Sequence, residues 1–304
     1  MYFLSDEERR YVLRKLLPEA RREPVHEELR GWNWHQPPLA PIYEAPLGLW
    51  EIAGQYCSSG RDLFLRRVEQ RRAAPNSAMI AGGALHSVIT GLILAAKRAI
   101  YVHGRGCTSE LAGLEATPPG DAEMQRLAEP AREALAAQAE LLAGFERRRI
   151  ISRVEDILAR QPHIGPDALA AWALPVVVEQ RLDGRFLGLS SHLSADAFAF
   201  GEPMIADLKF GPAQPFHRLT TTGYALVLES LTEMPIDIGC IVRAAFRDGQ
   251  LRIERDFHRI DDELRQWFIE ARDERMRLVE EGVDPGRPGI CAADCPYEEI
   301  CAET

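Results

Sequence analysis

The stretch Leu193-Ser194-Ala195-Asp196-Ala197-Phe198-Ala199-Phe200-Gly201-Glu202-Pro203-Met204-Ile205-Ala206-Asp207-Leu208-Lys209 decides the fold. Leu193–Phe200 and Met204–Phe210 read as strands, and Gly201-Glu202 between them reads as a two-residue hairpin turn with Gly first. A turn centred there sets Asp196 directly opposite Asp207, their side chains about 4.5–5.5 Å apart on one face. Lys209 shares that face, because strand side chains alternate. Two facing carboxylates repel unless something neutralises them. A divalent cation with a lysine beside it would do so, and metal-dependent phosphodiester hydrolysis needs that arrangement. The competing reading is an ordinary salt bridge on an exposed hairpin.

The lysine is unusual for this chain. Of its 36 basic residues only Lys15, Lys97 and Lys209 are not Arg. Arg would serve for a plain surface ion pair, whereas a compact ammonium can sit beside a water and adjust its proton affinity.

With 304 residues and 46% hydrophobic content, the chain can bury a full core. A net charge of −10 argues against coating DNA by bulk attraction. It leaves room for a nuclease whose groove is locally basic. Arg61, Arg66, Arg67, Arg71 and Arg72 form one basic run and Arg147–Arg149 another, while Asp261–Glu281 is strongly acidic. Such a run is ordinarily a solvated helix face, and a nucleic-acid contact is the functional alternative, with Arg61, Arg66 and Arg67 its candidates. The acidic start, Met-Tyr-Phe-Leu-Ser-Asp-Glu-Glu, is not a signal peptide. Ala78 to Ala96 carries no Asp, Glu, Lys or Arg, but Gly82, Gly83, His86, Ser87, Thr90 and Gly91 make it a buried helix rather than a membrane span. A cytoplasmic protein without a membrane partner is expected.

Along the chain, Ser5 with Glu8 three residues on forms a capping box that opens a helix to about residue 22. Residues 24–46, rich in Pro and Trp, read as an extended arm, so residues 1–47 form the first unit. Helices are expected at about 48–58, 61–72, 76–103 and 122–160, so residues 48–175 form a helical region carrying Cys57 and His86. The period then changes to strands at 176–182, 186–191, 193–200, 204–210, 236–246 and 251–257, with helices at 217–230 and 261–281. Residues 176–282 therefore form an α/β core with a mixed sheet, and 283–304 a cysteine-rich tail.

Cys291, Cys295 and Cys301 lie within that tail, in a Pro- and Gly-rich setting too polar to hold itself down. Iron–sulfur, zinc and disulfide chemistry all remain open on spacing alone. A metal or cluster wants a fourth ligand, and Cys57, before the turn Ser58-Ser59-Gly60-Arg61, is the best candidate. Joining it to the tail would staple distant parts of the chain. Cys240 reads as a small buried hydrophobe.

In order, the pieces are Cys57, a helix with Gly82 and His86, the Asp196–Asp207 hairpin with Lys209, a helix with Tyr224, and three terminal cysteines. Together with Glu28-Leu-Arg-Gly-Trp-Asn-Trp-His35, they resemble the RecB-like nucleases that carry an iron–sulfur cluster, specifically the archaeal variant of the CRISPR-associated exonucleases of adaptation modules. The resemblance runs the length of the chain. It implies a restriction-endonuclease-like core in which Asp196, Asp207, His86 and the Leu208 carbonyl hold Mg²⁺ or Mn²⁺. Lys209 would orient or activate the attacking water, and Tyr224 would complete the catalytic set. It also implies a 4Fe-4S cluster on Cys57, Cys291, Cys295 and Cys301. The chain departs from the family at Thr220, where Gln is usual, and at Asp207, where Glu is usual.

The implied function is exonucleolytic processing of DNA, as single strands or frayed ends, before integration into a CRISPR array. The partners would be the CRISPR integrase and other adaptation proteins, with self-association into a homo-oligomer left open. Two other readings are a non-catalytic DNA- and partner-binding subunit of that complex, and a zinc-stapled nuclease of unrelated biology.

Overall fold

The hairpin lies at the centre of a five-stranded mixed sheet in the computed structural model, which describes residues 1–115, 124–292 and 294–303. The strands are β1 (Val177–Leu182), β2 (Leu193–Ala199), β3 (Met204–Phe210), β4 (Ile238–Arg247) and β5 (Gln250–Arg259), ordered β1-β2-β3-β4-β5. β3 and β4 run parallel and the other neighbours antiparallel. The β2–β3 register is the expected one, with Ala197 opposite Ala206 and Ala199 opposite Met204. The turn differs. Four residues, Phe200 to Pro203, separate the last pair, and Gly201 does not adopt the positive φ of the turn expected for it. Arg9 holds this turn from outside through the buried Glu202 carboxylate.

The opening helix is α1 (Asp6–Tyr11) and α2 (Leu17–Arg22), joined by a wider turn at Val12–Leu16, with Ser5 and Glu8 forming the capping box. Then come α3 (Leu49–Ala53), α4 (Arg61–Arg67), α5 (Ser77–His103), α6 (Thr108–Ala112), α7 (Glu129–Arg160) and α8 (Pro166–Ala173). α9 (Arg218–Thr232) carries the chain from β3 to β4, α10 (Asp262–Glu281) follows β5, and α11 (Glu298–Glu303) lies in the tail.

Several expectations need correction. α3 stops at Ala53, because Gly54 leaves helical geometry. α4 stops at Arg67, and Gln70 beyond it is left-handed at φ 58°. Residues 186–191 are not a strand: Arg185–Leu187 is a 3₁₀ turn closed by Gly188 at φ 70°, leaving Leu189 a single bridge to Leu47. The expected start of the 122–160 helix falls partly outside the described residues. α8, begun by Gly165-Pro166, was not anticipated.

Strand alternation sorts the sheet into two apolar layers. Met204, Ala206 and Leu208 face a core shared with the N-terminal segment, α5, α7 and α8, whereas Ile205 faces one shared with α3, α4, α9 and α10. Asp207 and Lys209 fall on the Ile205 side by the same alternation. Among the described residues α5 is the one helix long and apolar enough to cross a membrane. Its Leu85, Val88, Ile89, Leu92 and Ile93 are buried inside the protein.

The arm is anchored rather than merely extended. Arg30 pairs with Glu229 (2.9 Å) and Asp237 (2.7 Å), and Glu229 is also gripped by Arg265 (2.7 and 2.9 Å) and by the Gly31 and Ile236 amides. Gly31 is required there, since a Cβ would lie 2.1 Å from the Leu226 carbonyl oxygen. The quoted segment Glu28–His35 thus owes its Arg-Gly pair to a buried carboxylate on α9.

Candidate active site

Asp196 on β2 and Asp207 on β3 occupy facing positions because the two strands share a register and a face. The Leu208 amide donates to Asp196 Oδ2 at 2.9 Å, and His86 Nδ1 on α5 lies 3.5 Å from that same oxygen. The imidazole edge is set against Phe210, with ring centroids 5.5 Å apart. Lys209 Nζ straddles the Asp207 carboxylate, 3.2 Å from Oδ1 and 2.9 Å from Oδ2. Only the Oδ1 contact is aligned as a hydrogen bond, so the buried Oδ2 has no hydrogen-bond partner.

The electrostatics follow from this crowding. Burial, and then the charge of Asp207, pushes the Asp196 carboxyl up to about 6. Burial works against the Lys209 charge, yet Asp207 and Asp196 hold its ammonium above the usual lysine range. Lys209 is therefore a fixed cation at neutral pH and not a base in the unliganded site. His217, joined to the Tyr56 hydroxyl at 3.0 Å, is lowered to about 4 by burial and then by Lys209. Tyr224 on α9 donates its hydroxyl to the Ser194 carbonyl, fixing β2 two residues before Asp196. Burial and the two aspartates raise that phenol further.

Two residues near this centre were missed from sequence. Glu179 falls opposite Asp196, where the β1–β2 ladder skips between Val178–Ala197 and Gln180–Ala195. Its backbone is left-handed at φ 51°, a costly conformation for Glu. Its carboxylate accepts from Ser194 Oγ (2.7 Å) and Thr90 Oγ1 (3.3 Å). Tyr2 is fully buried with an unpartnered hydroxyl, raised by burial and then by Asp196 and Asp207. No local pattern points to either; both depend on distant segments coming together.

The side-chain donors gathered here, two carboxylates and an imidazole, are of a kind that suits a hard divalent cation, and Asp207 Oδ2, though ion-paired with Lys209, carries no hydrogen bond. Among the described residues, however, no three His, Cys, Asp or Glu side chains close around a common point. His86 stands beside Asp196, and no third such donor among the described residues closes on the carboxylate pair.

The tail meets the Cys57 segment through several contacts. Arg61 clamps Asp284 (2.8 Å) and reaches the Cys301 carbonyl (3.2 Å), while Ser59 Oγ donates to the Gly286 carbonyl (2.8 Å) and Asn76 to the Asp294 carbonyl (2.8 Å). Arg275 donates to the Cys57 carbonyl at 3.3 Å. All four cysteines are free thiols. Burial raises the Cys295 thiol, and Cys57, Cys291 and Cys301 each add to the rise; Cys301 is likewise raised by burial and by Cys57 and Cys291. The four thiols therefore lie in one half-buried region and influence one another, although no three of them close around a common point.

The basic run does not sit as expected. Arg61 is 4% exposed and spent on the tail, so it is withdrawn from any nucleic-acid surface. Arg66 and Arg67 flank the buried Glu51 carboxylate at 3.1 and 2.6 Å, and Arg66 lies over the Trp50 ring. Their first task is to neutralise Glu51.

Comparison with known proteins places the chain as a whole. The model of the family described as CRISPR-associated exonuclease Csa1 matches residues 1–304. The CRISPR-associated exonuclease Csa1 of Thermoproteus tenax is 33% identical over 277 residues, covering 91% of each chain. The protein of the same name from Saccharolobus solfataricus is 31% identical over 277 residues, covering 91% of this chain and 92% of its own. The chain belongs to the Csa1 family of CRISPR-associated exonucleases.

Proposed function

We propose that this protein is a metal-dependent DNA exonuclease with a structural 4Fe-4S cluster, which processes DNA ends in the cytoplasm before their integration into a CRISPR array. The observation that carries the reading is the pairing of the buried Asp207 with the half-buried Asp196, with Lys209 on the same face, in a chain whose relatives are named exonucleases. The sheet order, with one parallel and three antiparallel pairings, accommodates a RecB-like nuclease core.

Asp196, Asp207, His86 and the Leu208 carbonyl would hold Mg²⁺ or Mn²⁺. Such an ion, when bound, polarises the phosphoryl oxygen and stabilises the leaving oxygen. The chain's own residues do the rest. Lys209, kept cationic by its neighbours, orients the attacking water and offsets charge accumulating on the phosphoryl group. The Leu208 amide fixes which Asp196 oxygen remains free, and Tyr224 holds β2 in position through Ser194. Cys57, Cys291, Cys295 and Cys301 would bind the cluster, which would pin the tail beside Arg61 without touching the reacting phosphate. The integrase and other adaptation proteins are the proposed partners.

The test is cleavage of end-labelled single- and double-stranded DNA with Mn²⁺ by anaerobically purified protein, beside Asp207→Ala and Lys209→Ala. Cleavage lost in both variants, with visible cluster absorbance retained, supports the assignment. Cleavage surviving both substitutions places the chemistry elsewhere. An inactive wild type with its cluster intact would make the chain a DNA-binding subunit.

A further inference from the structure

A second surface lies apart from the carboxylates. α7 presents Phe145, Arg148, Arg149, Ser152, Arg153 and Arg160 at helical spacing along one wall of an open groove of about 910 Å³. The other wall is the segment Phe3–Asp6 with Arg9, and α8 supplies Trp172 at the rim. Five arginines line the groove against two carboxylates, Asp6 and Asp156.

Arg9 is spent on Glu202, but the four arginines of α7 are largely uncommitted. Arg149 and Arg153 are braced by backbone carbonyls, those of Phe3 (2.8 Å) and of Leu4 (2.9 Å) and Trp172 (3.0 Å), which fix the guanidiniums without neutralising them. Arg149 also stands 3.5 Å from the buried Glu146, and Arg160 is 3.9 Å from Asp6 with both side chains mostly exposed, a contact of little strength. Burial lowers the proton affinity of both Arg149 and Arg153, the signature of cations held in a partly desolvated wall. Trp172, 49% exposed, offers its ring beside them.

We infer that this groove binds a single-stranded polynucleotide, with the α7 arginines on its phosphates and Trp172 stacked on a base. Fixed cations with an open aromatic face are what sequence-tolerant binding of single strands requires. The inference rests on the nuclease reading only for the identity of the polyanion. Residues Met1–Leu4 separate the groove from the carboxylates: Tyr2 is buried under the influence of Asp196 and Asp207, while Phe3 and Leu4 line the groove. The groove would thus hold a strand away from the scissile end.

The test is fluorescence anisotropy of a labelled oligo(dT) with full-length Asp207→Ala protein in chelator, so that binding is read without cleavage. Arg148→Glu with Arg160→Glu, and separately Trp172→Ala, should each weaken binding about fivefold or more. The double variant should also lower the log–log salt slope by about 1.4, since each lost phosphate contact on a single strand removes about 0.7. Arg277→Glu with Arg21→Glu, on α10 and α2 away from the groove, is the charge-matched control and should change neither. Unchanged binding in the groove variants overturns the inference, as does a loss confined to duplex DNA. Cleavage by otherwise wild-type protein is scored separately. Its absence would count against the nuclease reading and leave the groove standing, whereas active protein with indifferent groove variants would do the reverse.

Discussion

Replacing Asp196 by Asn should stabilise the metal-free protein while removing one of the proposed metal ligands. The Asp196 carboxyl is pushed from an ordinary value near 4 up to about 6 by burial and by Asp207. At about 1.4 kcal/mol per unit, that rise corresponds to roughly 3 kcal/mol. The sign follows from proton binding. Between about pH 4 and 6 the native state holds a proton that the unfolded chain has released, so stability falls as pH rises and stays lost above that window. Asn carries no charge and can still accept the Leu208 amide, which approaches Asp196 at 2.9 Å. Its profile should therefore lack this decline, and at pH 7.5 in chelator it should exceed the wild type by about 1–3 kcal/mol. Urea unfolding followed by tryptophan fluorescence across pH 4–8, on both proteins purified alike without oxygen, measures this. Adding Mn²⁺ at about a hundred times its Kd should then stabilise the wild type by about 2.7 kcal/mol and leave the variant unmoved. An Asn variant less stable than the wild type at pH 7.5, or one with the same slope, would refute the account of an Asp196 charge incompletely offset by its neighbours.

The remaining expectations are structural and compositional. Glu229→Gln removes the charge that faces both Arg265 and Arg30 in a buried setting, and should cost about 3–5 kcal/mol in denaturant titration. Gly31→Ala drives a Cβ against the Leu226 carbonyl at 2.1 Å and should lower stability by about 1–3 kcal/mol, or more where the helix backbone cannot shift. Cys57→Ser should lower iron content and visible absorbance in protein purified without oxygen, and loosen the tail to proteolysis near Asp284. Its cleavage rate at low temperature, per folded molecule, should stay within about threefold of wild type, because the proposed chemistry lies on the hairpin and not on the tail.

The carboxylate hairpin was legible because strand alternation and turn position are local rules, and they survived even a misread turn type. The Arg run at 61–72 was legible only as charge. Nothing in it announces that Asp284 and the Cys301 carbonyl would claim Arg61, or that Glu51 would claim Arg66 and Arg67. Glu179 was hidden for a related reason: its left-handed backbone answers to Thr90 and Ser194, not to its neighbours in sequence. Residues 186–191 misled because an apolar run bounded by turn residues suits a strand and a packed 3₁₀ turn equally well. The Arg face of α7 gains meaning only when α8 brings Trp172 opposite it, and α8 is too short to announce itself by period.

The anchoring of the arm has a consequence for the order of assembly. Glu229 meets Arg265 across 36 residues but meets Arg30 across 199. On loop-closure entropy alone the second contact costs about 1.5 kcal/mol more to form. α9, β4 and α10 can therefore come together first, with Glu229 already gripped by Arg265, and the arm closes over them last. Opening should retrace that path. Amide exchange should appear early at Gly31, whose N–H is held by Glu229, and late along β3 and β4, so the protein would shed its arm before it loses its hairpin.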